Sequence, residues 1–148
     1  IRKGGDAATM IQAGQHVRQA GIFLSVTVLL GVAGKEHSGE HAIATGKVVS
    51  QMQPNQIAAL TLMLLPNTEL NRLAAENKFT LPSSKELLVE LRNLLEHITC
   101  RAQFQTNHAS NYLPINGRLN RDKQQILSLI DKALQGEVCL KPEQFRAL

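Results

Sequence analysis

The chain has 148 residues, 43% of them hydrophobic and 19% charged, with a formal net charge of +4. That is enough chain for one domain with its own core, and the composition excludes disorder. No apolar run is long enough to span a membrane, which excludes an integral helical membrane protein. The Lys and Arg residues are dispersed, so the charge permits a nucleic acid partner without pointing to one; with no Trp and one Tyr, there are few rings for bases to stack on.

The opening IRKGGDAATM has neither an initiator Met nor a signal-peptide pattern, and reads as the start of a helix within a longer protein. Asp6 is placed to cap that helix over residues 7–20, with Met10, Ile11, Ala13, Gly14, Val17 and Ala20 on its inner face. A run of apolar and β-branched residues follows at 22–30, broken only by Ser25 and Thr27. Such a run predicts a strand buried on both faces, as in a parallel sheet covered by helices. It ends in the turn Gly31-Val32-Ala33-Gly34 and the charged pair Lys35-Glu36. A helix is expected over 38–52, then a second doubly buried strand over 56–65 that stops at Pro66-Asn67. Strand, helix and strand in this order make a parallel βαβ unit.

Thr68 caps a short helix over 69–76, and Ser83 or Ser84 caps a longer one over 85–97, whose Leu87, Leu88, Leu91, Leu94, Leu95 and Ile98 lie at helical spacing. Residues 99–106 alternate apolar and polar and suggest an edge or half-exposed strand. A polar loop, NHASNYLP, comes next, followed by an amphipathic helix from Asn120 or Arg121 to Leu134 and a short terminal helix at Pro142. The alternation predicts the α/β class, with about three strands and flanking helices over 1–136 and a short tail over 137–148.

Ligands in open α/β sheets and β/α barrels sit at the carboxyl ends of strands, so the stretch 31–36 is the first candidate site. It is neither a Walker loop nor a dinucleotide fingerprint, and the same turn also serves as a plain strand-to-helix connection. His108, between two Asn residues, is placed to act as acid, base or hydrogen-bond donor; the same loop also reads as Asx and Ser turns that satisfy their own backbone. His37 and His41 stand one helical turn apart but have no third ligand in view, and no metal site is expected. Cys100 and Cys139 have no ligand spacing and read as two reduced, buried thiols of a cytoplasmic protein.

The strings KGGDAATMIQAGQHVRQAGIFLSVTVLLGVAGKE, ALTLMLLPNTEL and QTNHASNYLPINGRLNRDK resemble the C-terminal half of radical S-adenosylmethionine proteins, in particular their Fe–S oxidoreductase group. The resemblance implies a parallel β/α partial barrel (TIM-like), with residues 22–31 and 57–65 as its last two strands. In that family a CxxxCxxC loop holds a [4Fe–4S] cluster, and a GxIxGxxE strand lines the adenine of S-adenosylmethionine. Leu29 and Gly31 match the Ile and second Gly of that pattern, Thr27 replaces the first Gly and Gly34 the Glu. The implied adenine contacts are Leu29, Gly31, Gly34, Leu62 and Met63; the implied substrate wall is Asn107, His108, Asn111 and Tyr112, with no catalytic residue assigned.

No CxxxCxxC occurs in the sequence, so the chain is expected to bind neither cluster nor cofactor alone and to be inactive without the N-terminal half of the barrel. A fragment of this kind leaves an apolar inner face uncovered and is expected to pair as a homo-dimer. The rival expectation is a non-catalytic domain for a protein or RNA partner. The two differ in whether Gly31, Leu65 and His108 share one rim or His108 lies on an outer basic face.

Overall fold

The computed structural model describes residues 4–147; the first three residues of the expected 1–136 unit and the last residue of the tail lie outside them. Asp6 accepts from the Thr9 N–H at 2.8 Å and starts α1 (Ala7–Gln19). After β1 (Ser25–Leu30) come α2 (Ser38–Met52) and β2 (Gln56–Thr61). Thr68 caps α3 (Glu69–Ala75), and Ser83 caps α4 (Ser84–His97) through a reciprocal box with Glu86. The chain closes with β3 (Gln103–Gln105), β4 (Asn116–Arg118), α5 (Leu119–Leu134) and a 3₁₀ turn at Glu143–Phe145.

The fold is α/β, with an open sheet in the order β1-β2-β3-β4. The first three strands are parallel and β4 runs antiparallel against β3. The fourth strand is an addition to the expected three. Asn116 to Arg118 has no apolar alternation to announce it, and the strand forms because it closes back on β3 after the polar loop.

Two expectations about the strands are corrected. The strands are shorter than the apolar runs: β1 starts at Ser25, leaving Ile22 and Phe23 57% and 63% exposed, and β2 ends at Thr61 rather than at residue 65. Nor are they buried on both faces. Val28 and Leu30 of β1, Ile57, Ala59 and Thr61 of β2 and Phe104 of β3 are buried beneath the helices, whereas Ser25, Thr27 and Gln103 on the opposite face are exposed. The physical reason lies in the winding. Strands laid down in one direction with right-handed crossovers put every connecting helix on the same side.

α4 supplies the middle of the core with Leu87, Leu88, Leu91, Leu94 and Leu95, and α5 adds Leu119, Ile126, Leu127, Ile130 and Ala133. α1 packs along α2, which corrects its expected inner face. Only Gly14 is buried there, against Met52, while Ile11 and Val17 are half-buried and Met10, Ala13 and Ala20 are exposed. The tail is tied down: the Lys141 N–H donates to the Tyr112 carbonyl at 2.8 Å, and Arg146 is buried.

Close approach of α2 and α4 depends on Gly46. A Cβ there would stand 2.8 Å from the His97 Cβ and 3.0 Å from the Leu94 carbonyl, whereas a Cβ at Gly39 meets nothing within 4 Å. Gly46→Ala is therefore expected to lower stability by about 1–3 kcal/mol, the cost of overpacking. Gly39→Ala is expected to raise it by up to ~1 kcal/mol through helix propensity. Urea unfolding of the two variants checks this; equal effects of the same sign would show that the helix contact is not the constraint.

Candidate functional site

Because β1, β2 and β3 are parallel, the segments holding Gly31, Leu65 and His108 all leave the same end of the sheet. This rim is built by two polar clusters. The first centres on Glu90, which α4 carries into the core, 1% exposed. Its two carboxylate oxygens each accept the Gly31 N–H at 3.1 Å; Oε2 accepts the Ser38 hydroxyl at 2.6 Å and Oε1 the His41 Nδ1–H at 3.0 Å. One carboxylate thus fixes the end of β1 and the first turn of α2.

Gly31 has φ +82°, and a Cβ on it would lie 2.9 Å from Leu87 Cδ2. Its missing side chain faces the core, so only its backbone is available to the rim. Gly34, φ +72°, packs against Phe79, and the Lys35 N–H donates to the Thr80 carbonyl at 2.8 Å. The Lys35 ammonium bonds Glu86 at 2.8 Å. That bond, with the Ser83 N–H and hydroxyl, holds the Glu86 carboxyl down at about 2.

The second cluster is the loop after β3. Asn111 is buried; its amide donates to the Ala59 carbonyl at 2.8 Å and the Thr106 carbonyl at 3.0 Å, and its oxygen accepts the Thr61 hydroxyl at 2.9 Å. The side chain stands where a longer β3 would have paired with β2. Ser110 Oγ accepts the Thr61 N–H at 3.2 Å. The Ser110 hydroxyl and N–H both meet His108 Nδ1, at 2.9 and 3.2 Å. With two donors on Nδ1, the neutral ring carries its proton on Nε2 and presents an N–H to solvent. His108 thus offers a hydrogen-bond donor at the rim.

Arg146 crosses from the tail to lock the loop. Its Nε donates to the Ser110 carbonyl at 2.7 Å, Nη1 to the Tyr112 hydroxyl at 2.6 Å and Nη2 to the Leu62 carbonyl at 3.0 Å. Its guanidinium lies 4.3 Å from the Tyr112 ring centroid. The Tyr112 hydroxyl donates to Glu143. Burial and the Glu143 carboxylate push the phenol up to about 12, against the opposing pull of Arg146.

The predicted site residues are therefore divided. Gly31 and Leu62 are neighbours, with the would-be Gly31 Cβ 3.7 Å from the Leu62 Cβ. Leu62 reaches Ser110 and then His108 through Arg146. Leu29 lies on the bare face beside Leu60, its register partner. Met63 is half-buried, and Asn107 is exposed beside His108. Gly34 faces the α3–α4 connection instead. Asn111 and Tyr112 have their polar atoms engaged within the fold.

Sequence reasoning missed Ser38, Glu90 and Arg146. Position 90 lies three residues after Leu87 and four before Leu94, inside the apolar stripe, and an acid at that spacing was the available signal. His41 turns to Glu90 while His37 stands 3.4 Å from Glu40, so the two do not act as a pair. The two cysteines are also corrected: Cys100 is half-buried, with its thiol pushed up by burial, and Cys139 is exposed.

Among the described residues no group of three His, Cys, Asp or Glu side chains is placed to hold a metal ion, and no helix is long and apolar enough to cross a membrane. No family model matches the chain, and neither curated proteins nor solved structures give a match.

Glu90→Gln removes the charge and one acceptor from a buried cluster, and is expected to cost on the order of 3 kcal/mol. Hydrogen exchange should accelerate at the Gly31 amide more than at the Leu62 amide; unchanged stability would remove Glu90 from its central role. Tyr112 is the sole tyrosine and there is no Trp, so tyrosinate absorbance reads it alone. Its midpoint is expected near 12 instead of the ordinary 10. A phenol raised on folding stabilises the protein below its unfolded value, and that contribution disappears as pH rises through the folded one. A midpoint at the ordinary value would mean that the Arg146–Tyr112–Glu143 cluster does not form.

Proposed function

We propose that this chain is the C-terminal part of a β/α partial barrel in a radical S-adenosylmethionine oxidoreductase, contributing one side of the adenine pocket and part of the substrate wall. The observation that carries the reading is the single winding of the sheet. Parallel strands in sequential order with every helix on one face are the arrangement of a barrel wall, whose bare face is the lumen, whereas a doubly wound sheet covers both faces. The bare face carries hydrogen-bonding rows, Ser25-Gln56-Gln103-Arg118 and Thr27-Ala58-Gln105-Asn116, below the apolar pair Leu29 and Leu60. The free edge of β1 is where the N-terminal half of the barrel would add its next strand.

An adenine ring needs a flat apolar contact and main-chain hydrogen bonds. Leu29 and Leu60 supply the first. Met63 and Leu64 form no main-chain hydrogen bond among the described residues, and their free N–H and C=O groups supply the second. S-Adenosylmethionine would rest on these, with the Gly31 backbone closing the end of the slot and Gly34 set back against Phe79. His108 would donate its Nε2–H to a substrate oxygen, and Asn107 would stand beside it. The [4Fe–4S] cluster does not fit this chain: half-buried Cys100 and exposed Cys139 are its two thiols, with no third ligand grouped with them among the described residues. The cluster would belong to the N-terminal half. The rival reading, a domain for a protein or RNA partner, has less in its favour because His108 stands at the strand-end rim.

The test is made on the whole protein under reducing, anaerobic conditions. His108→Ala is expected to leave S-adenosylmethionine affinity intact and to lower substrate-dependent 5′-deoxyadenosine formation by roughly 10²–10⁴-fold, the range for loss of one positioned proton donor. Normal turnover per folded molecule would remove His108 from the substrate wall. Absence of any 5′-deoxyadenosine from the unmodified whole protein would sink the family reading itself.

A further inference from the structure

We propose that the amino-terminal end of the sheet, opposite the rim, holds a binding site for a diphosphate group. Arg18, Arg101 and Arg118 converge there on a shallow concavity of about 260 Å3, with Asn55, Gln103 and Asn120 completing its walls. They come from separate places in the chain: the last turn of α1, the entry to β3 and the end of β4. Dispersed in sequence, they form no basic run, which is why the charge pattern does not reveal them. The fold makes the cluster.

Three features give the site its chemistry. First, none of the three guanidinium groups is tied up in an ion pair, although the Asp122 carboxylate feels the charge of Arg118. Among the described residues no carboxylate lies within ion-pair distance of Arg18, Arg101 or Arg118. The other four described arginines, Arg72, Arg92, Arg121 and Arg146, all pair with acids. The nearest acid in sequence, Asp122, is engaged by Arg121 at 2.6 Å and by the Arg118 main-chain N–H at 2.9 Å.

Second, one arginine is already oriented. Arg18 Nη1 donates to Asn55 Oδ1 at 2.6 Å, and the same oxygen accepts the Leu24 N–H at 2.9 Å. The remaining N–H groups of that guanidinium stay free for a ligand. Third, α5 begins at the concavity with Arg118 as its N-cap residue and no capping side chain. The positive end of this 16-residue helix lies at the concavity, partly offset by the Asp122 carboxylate in its first turn.

Charge and size together select the ligand. A phosphate monoester carries about two negative charges near neutral pH, and a diphosphate one more, matching three arginines. Guanidinium forks bind phosphate oxygens two at a time. The concavity is smaller than the roughly 300–1,000 Å3 of sites built for drug-sized ligands, so it accommodates the anionic group and leaves any attached organic portion outside. The carboxamides of Asn55, Gln103 and Asn120 supply further donors. None of this rests on the reading of the opposite rim.

Calorimetric titration of the chain at low ionic strength tests the site with inorganic pyrophosphate, with ADP, and with a single-stranded RNA oligonucleotide. Pyrophosphate is expected to bind, and Arg101→Gln and Arg118→Gln each to weaken it by about tenfold or more, the scale of one charge-assisted contact. Both side chains are exposed and make no hydrogen bond that the fold needs, so the variants should retain the parent unfolding curve. Arg72→Gln, on α3, should leave binding unchanged. Equal affinity for ADP and pyrophosphate would identify a free diphosphate as the ligand, and tighter ADP binding a nucleoside diphosphate. The proposal is overturned if pyrophosphate gives no binding, if the double variant binds as the parent does, or if RNA binds while pyrophosphate does not.

Discussion

A single buried carboxylate holds three elements of this fold together. Glu90 belongs to α4, accepts from the turn after β1 through Gly31, and accepts from the start of α2 through Ser38 and His41. Burying an isolated carboxylate costs several kcal/mol even after relaxation. Here Gly31, Ser38 and His41 share the charge, and their donors offset that cost by replacing the water the carboxylate gives up. The arrangement also explains why β1 stops where it does. The Gly31 N–H turns inward to Glu90, the backbone enters the left-handed region at φ +82°, and Leu87 occupies the space a side chain would need. Strand end, turn and helix start are consequences of one ion's need for donors.

What could be read in advance follows from the range of each interaction. Helix starts depend on residues three or four apart, so Asp6, Thr68 and the Ser83–Glu86 box announced α1, α3 and α4 within a residue. The parallel pairing of the first two strands followed from alternation of strand and helix. Burial did not follow, because apolar character in residues 22–30 cannot distinguish a strand covered on both faces from one covered on one. Ile22 and Phe23 are exposed because no element covers them, and that is a fact about topology. Glu90 bonds residues 49 to 59 positions away, a separation at which no local pattern operates. Only its position within the Leu stripe of α4 betrayed it.

The polar loop after β3 shows how one segment divides between fold and chemistry. β3 has three residues against six in β2, which leaves the far end of β2 without a ladder partner. Asn111 and Ser110 fill that gap with side chains, and Thr106 Oγ1 bridges the Leu113 carbonyl and the Ile115 N–H at 2.5 and 2.8 Å. The reading of this loop as turns that satisfy their own backbone describes His108, whose Nδ1 accepts the Ser110 N–H at 3.2 Å, whereas the Ser110 and Asn111 side chains reach across to β2. Because Ser110 fixes that ring nitrogen, the other turns outward, and one side chain serves both the loop and the rim.

The same one-sided winding explains how a half-covered sheet can be tolerated in water. A bare face of Val and Ile would invite pairing with any similar surface. Here Ser25, Thr27, Gln56, Gln103, Gln105, Asn116 and Arg118 occupy that face, and Leu29 and Leu60 form its apolar strip at the carboxyl end. What remains apolar on this face is that strip, and the edges of β1 and β4 carry no further ladder partner among the described residues. Hydrogen-bonding side chains that the core does not use are thus concentrated on the face the helices do not cover. An apolar strip beside the Gly31 turn and the outward-facing imidazole of His108 lie at the same end of the sheet, so polar rows and apolar strip divide the open face along the strand direction.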